Sequence, residues 1–171
     1  MEEFELTYLA KREIMDKLEG CSFKEMLDIY IPESSDHPTL RIRKNGDRFE
    51  MTKKQPIKEN DSSHQLETTI PLTKGEFLDF SQLRGKRVSK NRFFYKESDH
   101  TYEIDVFQGE LKGLVLVDIE FKSANEKDVF VPPSWVLAEV TQEKFIAGGM
   151  LCGKGYADIE DKLKTFGYSK I

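Results

Sequence analysis

Seven stretches of the chain alternate between polar and apolar residues, and within each the polar, mostly charged, residues keep one parity. Glu3 and Glu5 alternate with Phe4 and Leu6, and Arg41 and Arg43 with Leu40 and Ile42. Glu50, Thr52 and Lys54 flank Phe49 and Met51; Lys90 and Arg92 precede Phe93; Glu67 stands in the run LETTIPL. Glu103 and Asp105 alternate with Tyr102, Ile104 and Val106, and Asp118 and Glu120 with Val117, Ile119 and Phe121. Successive side chains of a strand point to opposite faces, so each stretch carries one charged and one apolar face. Acids and bases occur in mixed sets. Converging charged faces would line a cavity suited to a polyanion and its metal ions.

The plain alternative is an antiparallel sheet with one wet face. Two features weigh against it. The charged parity is rich in Arg and Glu rather than Ser, Thr and Lys, and seven such stretches need more apolar cover than one short sheet on a few helices offers. A length of 171 residues predicts one domain spanning 1–171 with a real core. A net charge of -5 disfavours general affinity for nucleic acid or an anionic membrane, so any phosphate binding must be local. The apolar runs are too short to span a bilayer, and MEEFEL lacks the features of a signal segment. Cys21 and Cys152 have no metal spacing and are expected to be free thiols in a reducing cytoplasm. A monomer or homodimer is expected.

Strands are predicted over 2–9, 39–44, 47–54, 65–71, 86–96, 101–107, 114–122 and 136–141. Asn45-Gly46 marks a hairpin, and 24–31 fits helix or strand equally. Helical spacing covers 10–18, 123–130 and 156–166, and Thr73 with Glu76 forms a capping-box pattern for a helix over 73–82. Strands dominate, so the expected class is α+β, mainly antiparallel β.

Gly148, Gly153 and Lys154 match GxxxxGK, but Gly155 follows where a P-loop places a metal-binding hydroxyl, and no buried parallel strand precedes. His37, His64 and His100 lack zinc spacing, and no Ser sits in a GxSxG setting. The acid and base sets remain. Arginine donates bidentately to phosphate and does not deprotonate. Mg²⁺ or Mn²⁺ takes hard oxygens, usually one or two carboxylates with substrate phosphate and water. Together they fit metal-assisted phosphoryl chemistry.

These segments resemble a known family. EFELTYLAK at 3–11 is similar to the N-terminal ExExK signature of the CYTH superfamily, the triphosphate tunnel metalloenzymes. LRIRKNGDRFEMTKK at 40–54 resembles its paired-arginine and lysine strands, and KNRFFY, YEIDVFQGELKGLVLVDIEF and VPPSWVLAEVT match later segments in order. The resemblance implies a closed eight-stranded antiparallel barrel with a charged interior and surrounding helices. It implies that Arg41, Arg43, Lys54, Lys90 and Arg92 bind a triphosphate-containing small molecule, with Lys54, Lys90 and Arg92 acting in catalysis. Glu3, Glu5, Asp118 and Glu120 would hold Mg²⁺ or Mn²⁺, and Glu50, Glu67, Glu103, Asp105 and Glu139 would complete an acidic lining.

The chain departs from the family pattern at the ExExK lysine, which falls on Thr7, and at two fourth-strand positions, which fall near Ser63 and Gln65. A late lysine falls near Ala147, leaving Lys154 as its substitute, while Lys11 is the nearest lysine in β parity with Thr7. The functions implied are metal-dependent triphosphate hydrolysis, class IV adenylate cyclase-like chemistry, or polyphosphate binding without turnover. Loss of the Thr7 cation favours the last.

Overall fold

A computed structural model describes all residues, 1–171. Nine strands form one antiparallel sheet: β1 (Glu2–Ala10), β2 (Phe23–Ile31), β3 (Leu40–Asn45), β4 (Arg48–Pro56), β5 (His64–Leu72), β6 (Lys86–Glu97), β7 (His100–Phe107), β8 (Val115–Phe121) and β9 (Val136–Glu139). The order is β5-β4-β3-β2-β6-β7-β8-β1-β9, and a further β5–β1 pairing closes the first eight strands into a barrel. Closure is staggered. The first residues of β1 pair with β5 (Glu2↔Leu66, Phe4↔His64), whereas its last residues pair with β9 (Tyr8↔Glu139, Ala10↔Val136).

The ambiguous segment is a strand: β2 is hydrogen-bonded on both sides, to β3 and β6, which overrides its local spacing. The helix expected from residue 10 shrinks to α1 (Ile14–Lys17), because Ala10 is held in β1 by its partner Val136. The helix α2 (Lys74–Phe80) starts at the expected capping box, with Thr73 Oγ1 accepting from Glu76 N. The remaining helices are short: α3 (Ala124–Asp128), α4 (Gly148–Leu151) and α5 (Glu160–Lys164). No helix is long and apolar enough to cross a membrane. Both cysteines are free thiols.

The apolar parity faces outward and is covered. Leu6, Tyr8, Ile104, Val117 and Ile119 pack with Ile14, Leu18, Trp135 and Val136. On the other side Ile29 and Ile42 pack under Phe77 of α2, flanked by Phe49 and Met51. Burial of this kind supplies most of the driving force for closure.

The inner face is charged for only part of its length. Leu9, Val88, Phe107, Leu116 and Tyr30 share the inner parity but join a buried cluster with Leu151, Tyr156, Ile159, Leu163 and Tyr168. The C-terminal segment therefore stoppers one end of the barrel with apolar side chains, making a blind cup. Close approach seats this stopper. A β-carbon on Gly149 would lie 2.1 Å from the Pro38 carbonyl oxygen, so only glycine fits there. The glycine-rich segment thus packs a stopper and does not follow a parallel strand as a P-loop does.

Candidate functional site

Strand register brings the charged residues to one interior. Cross-strand pairs put Arg43 beside Asp28 and Glu50, Arg41 beside Tyr30, and Lys54 beside Glu67. On the other half, Arg92 pairs with Asp105, Glu103 with Asp118, Thr7 with Asp118, and Glu5 with Glu120. Directly paired positions share a face, so both halves point into the same barrel.

Most of the lining is ion-paired. Lys54 Nζ donates to Glu5 at 2.7 Å and lies 3.0 Å from Glu3. Arg92 donates to Asp105 through Nε and Nη2, both at 2.7 Å, to Asp118 at 3.2 Å, and to Glu103 through Nη1. Lys90 Nζ pairs with Asp105. Arg43 is held by Asp28, and Thr7 Oγ1 donates to Asp118 Oδ1 at 2.8 Å. Glu50 and Glu120 share the inner parity but make no ion pair. Arg41 is the exception among the arginines. Its Nη1 donates to the Tyr30 hydroxyl at 3.1 Å and its Nη2 stands 3.8 Å from Glu67, but its buried Nε has no partner. An orphaned buried donor is costly and marks a place for an acceptor.

Carboxylates outnumber cations in this lining, and their protonation equilibria show it. Burial pushes Asp118 up, and Glu5 and Asp105 push it further, to about 7, against Arg92 and Lys90. Glu120 is likewise raised by burial, then by Glu103, Glu3 and Glu5. At Glu5 burial acts upward too, but Lys54, with Arg92 and Arg41 behind it, wins and holds the carboxyl low. Burial and the neighbouring Arg92 and Arg43 lower the Lys90 ammonium despite Asp105. Asp118 and Glu120 are therefore crowded by more negative charge than Arg92, Lys90 and Lys54 offset, which suits hard-cation ligation. No group of three or more His, Cys, Asp or Glu side chains is preassembled for a metal ion. Magnesium-type sites need only one or two carboxylates when phosphate supplies the rest, so the donor set fits.

The sequence expectations need two corrections. Glu139 is exposed and does not line the interior: β9 pairs it with Tyr8, whose parity faces outward. Lys154 lies with Arg87, Ser89, Gln108 and Glu110 in a groove of about 410 Å³ and joins none of the interior ion pairs. Lys11 does not stand in for the missing lysine either, since its Nζ donates to the Ser134 carbonyl on the exposed surface. Two inward residues were missed, Asp28 and Tyr30. Their signal was present as an alternate-residue pair in FKEMLDIYI, obscured by Met26 on the same parity.

Acid stability follows from the same charges. Burial opposes ionisation of Asp105, but Arg92 and Lys90 outweigh it and hold the carboxyl at about 2. A depressed carboxylate contributes stability that is present above its unfolded value and is lost as pH falls through its folded one. Asp118 and Glu120, raised, act oppositely and favour the fold at mildly acidic pH. Thermal unfolding should therefore show the metal-free protein gaining stability from pH 8 to about 5 and losing it between roughly pH 4 and 2. An Asp105→Asn variant should lose part of the steep acid limb, the rest being carried by Asp28 and Glu5, which are also held low; retention of the full limb would contradict the assignment.

Comparison with known proteins places this geometry. No family model matches the chain. Over 116 residues it is 36% identical to an inorganic triphosphatase of Nitrosomonas europaea, a match covering 67% of this chain and 75% of that protein. An inorganic triphosphatase of Acetivibrio thermocellus is 31% identical over 74 residues, 43% of this chain and 46% of that one. The crystal structure of an inorganic triphosphatase superposes with a TM-score of 0.59 and 26% identity, covering 88% of this chain and 93% of the other.

Proposed function

Because the chain belongs to the CYTH superfamily of triphosphate tunnel enzymes, alongside the inorganic triphosphatase of Nitrosomonas europaea, we propose that it hydrolyses a triphosphate, inorganic triphosphate foremost, inside the barrel with a divalent metal ion. The observation that carries this reading is one closed, solvent-reached interior lined by Arg41, Lys54, Lys90 and Arg92 together with a surplus of carboxylates.

A net acidic lining weakens the hold on a bare polyanion, so a metal entering with the anion is expected to strengthen binding. Lys54 and Arg92 exchange their present carboxylate partners for phosphate oxygens. Arg41 supplies its unpartnered Nε. Glu3 and Glu5, once relieved of Lys54, would hold Mg²⁺ or Mn²⁺ together with Asp118 and Glu120. When bound, such an ion neutralises phosphate oxygens and lowers the cost of making hydroxide from water. Lys54, Lys90 and Arg92 stabilise charge spread over the transferred group, a task of positioning and electrostatics that needs no covalent nucleophile. Leu9, Phe107 and Tyr156 belong to the apolar cluster that packs the stoppered end, so the triphosphate would sit against the charged part of the lining.

Phosphate release should be measured from tripolyphosphate, ATP and thiamine triphosphate, each with Mg²⁺ and Mn²⁺. The reading expects metal-dependent release, fastest from tripolyphosphate. Cyclic AMP formation, or tight tripolyphosphate binding with no release under any condition, would overturn it.

A further inference from the structure

Asp28 lies on the inner face of β2 and is only 2% exposed, and its cross-strand partner Arg43 is 6% exposed. Arg43 donates to it twice, Nε to Oδ1 at 2.5 Å and Nη2 to Oδ2 at 2.7 Å. That bidentate fork fixes the guanidinium plane and leaves both Nη1 protons and the second Nη2 proton for another acceptor. Arg41, two residues away on the same face, is in the opposite state: its firm partner is a neutral tyrosine hydroxyl and its buried Nε is open. The two arginines are thus prepared for different tasks by the residues opposite them on β2. Asp28 also has Arg41 and Lys90 within electrostatic range; burial acts against its charge, but these cations, Arg43 first, hold it ionised far below the usual carboxylate range. A purely structural salt bridge in a core gains little over apolar packing of the same shape. This one instead stands beside the open donor of Arg41 and beside Lys90.

We propose that Asp28 is a positioning residue: it locks Arg43 through Nε and Nη2 so that the remaining Nη1–Nη2 edge of the guanidinium is aimed at the transferred phosphoryl group, while Arg41 takes up phosphate directly. The proposal rests on the triphosphatase reading and adds a residue and a division of labour to it. Fixing a donor in place matters most in the transition state, where misplacement costs rate. Removing the Asp28 charge also leaves the interior more cationic, which favours anion binding. The two effects separate in kinetics.

Asp28→Asn is the test, with tripolyphosphate as the substrate and as the metal-free titrant. We expect kcat to fall at least about tenfold while KM stays level or drops, and metal-free tripolyphosphate to bind at least as tightly as to the wild type. Arg43→Lys keeps the charge but loses the fork, so it should show the same kcat loss with KM unchanged. The double variant should be no slower than either single one by more than about twofold, because both act through one contact. A kcat for Asp28→Asn within about twofold of wild type, or effects of the two substitutions that multiply, would overturn the proposal. If Asp28→Asn does not fold, Arg43→Lys decides alone, and a raised KM with unchanged kcat counts against. Should the wild type release no phosphate, the triphosphatase reading fails while the metal-free titration still judges Asp28: weaker binding in Asp28→Asn rejects its role, and equal or tighter binding upholds it.

Discussion

Replacing Arg92 with alanine is expected to destabilise the protein by about 3–5 kcal/mol and to cut triphosphate turnover by roughly 10²–10³-fold. Arg92 occupies the centre of the charged lining, where it donates to Glu103, Asp105 and Asp118. Asp105 is 1% exposed and retains only Lys90 once the guanidinium is gone. Removing one partner of a buried pair leaves the other charge uncompensated, which costs far more than the pair contributes. Asp118, already raised to about 7, would lose the larger of the two cations holding it down and rise further. Calorimetric unfolding and a phosphate-release assay below the variant's melting temperature measure the two effects separately. A stable variant with near-normal turnover would mean that Arg92 is neither the electrostatic centre of the lining nor a substrate contact.

Thr7→Lys should act in the other direction. Thr7 is on the inner face and donates one hydrogen bond to Asp118 at 2.8 Å, but it brings no charge. Neither Lys11, bonded to the Ser134 carbonyl, nor Lys154, in its separate groove, fills the position. An ammonium beside Asp118 would lower its proton affinity and place a cation near charge that develops in the reaction. Donors so placed are worth roughly 10²–10³ in rate when removed, so we expect a gain of about 10- to 100-fold in kcat. Thr7→Met, similar in length and uncharged, should give none. If Thr7→Lys is no faster than wild type, or if Thr7→Met matches it, a missing cation does not limit this chain.

Much of this was legible in the sequence, and what was not has identifiable causes. Arg41 and Arg43, or Glu103 and Asp105, keep strict alternation because one face is packed on apolar residues such as Ile42 and Ile104, each with 0% exposure. A slip of one residue would bury the charges under helices, so pattern and register agree. On β2, Met26 shares the inner parity with Asp28 and Tyr30, and the mixture conceals both the strand and its two inward polar side chains. Glu139 misled because its parity depends on the pairing of β9 with β1, which shifts register between Leu9 and Ala10. The stopper did leave a trace. Inner parity turns from polar to apolar between Thr7 and Leu9, between Asp105 and Phe107, and between Asp118 and Leu116, always toward the same end of the barrel. What covers that end was not legible, since the spacing of the C-terminal segment reports an apolar face but not the surface it meets.

The most direct measurement of the central claim is a calorimetric titration of tripolyphosphate, without added metal so that no turnover intervenes, into the wild type and Arg41→Ala. Arg41 offers a buried Nε with no partner to a ligand in the barrel. Deleting a charge-assisted contact of that kind costs roughly 1.5–3 kcal/mol, or about 10- to 150-fold in affinity. The account predicts one site in the wild type and a loss of this size in the variant, with the fold intact. Equal affinities for the two proteins would place the triphosphate somewhere other than the interior of the barrel.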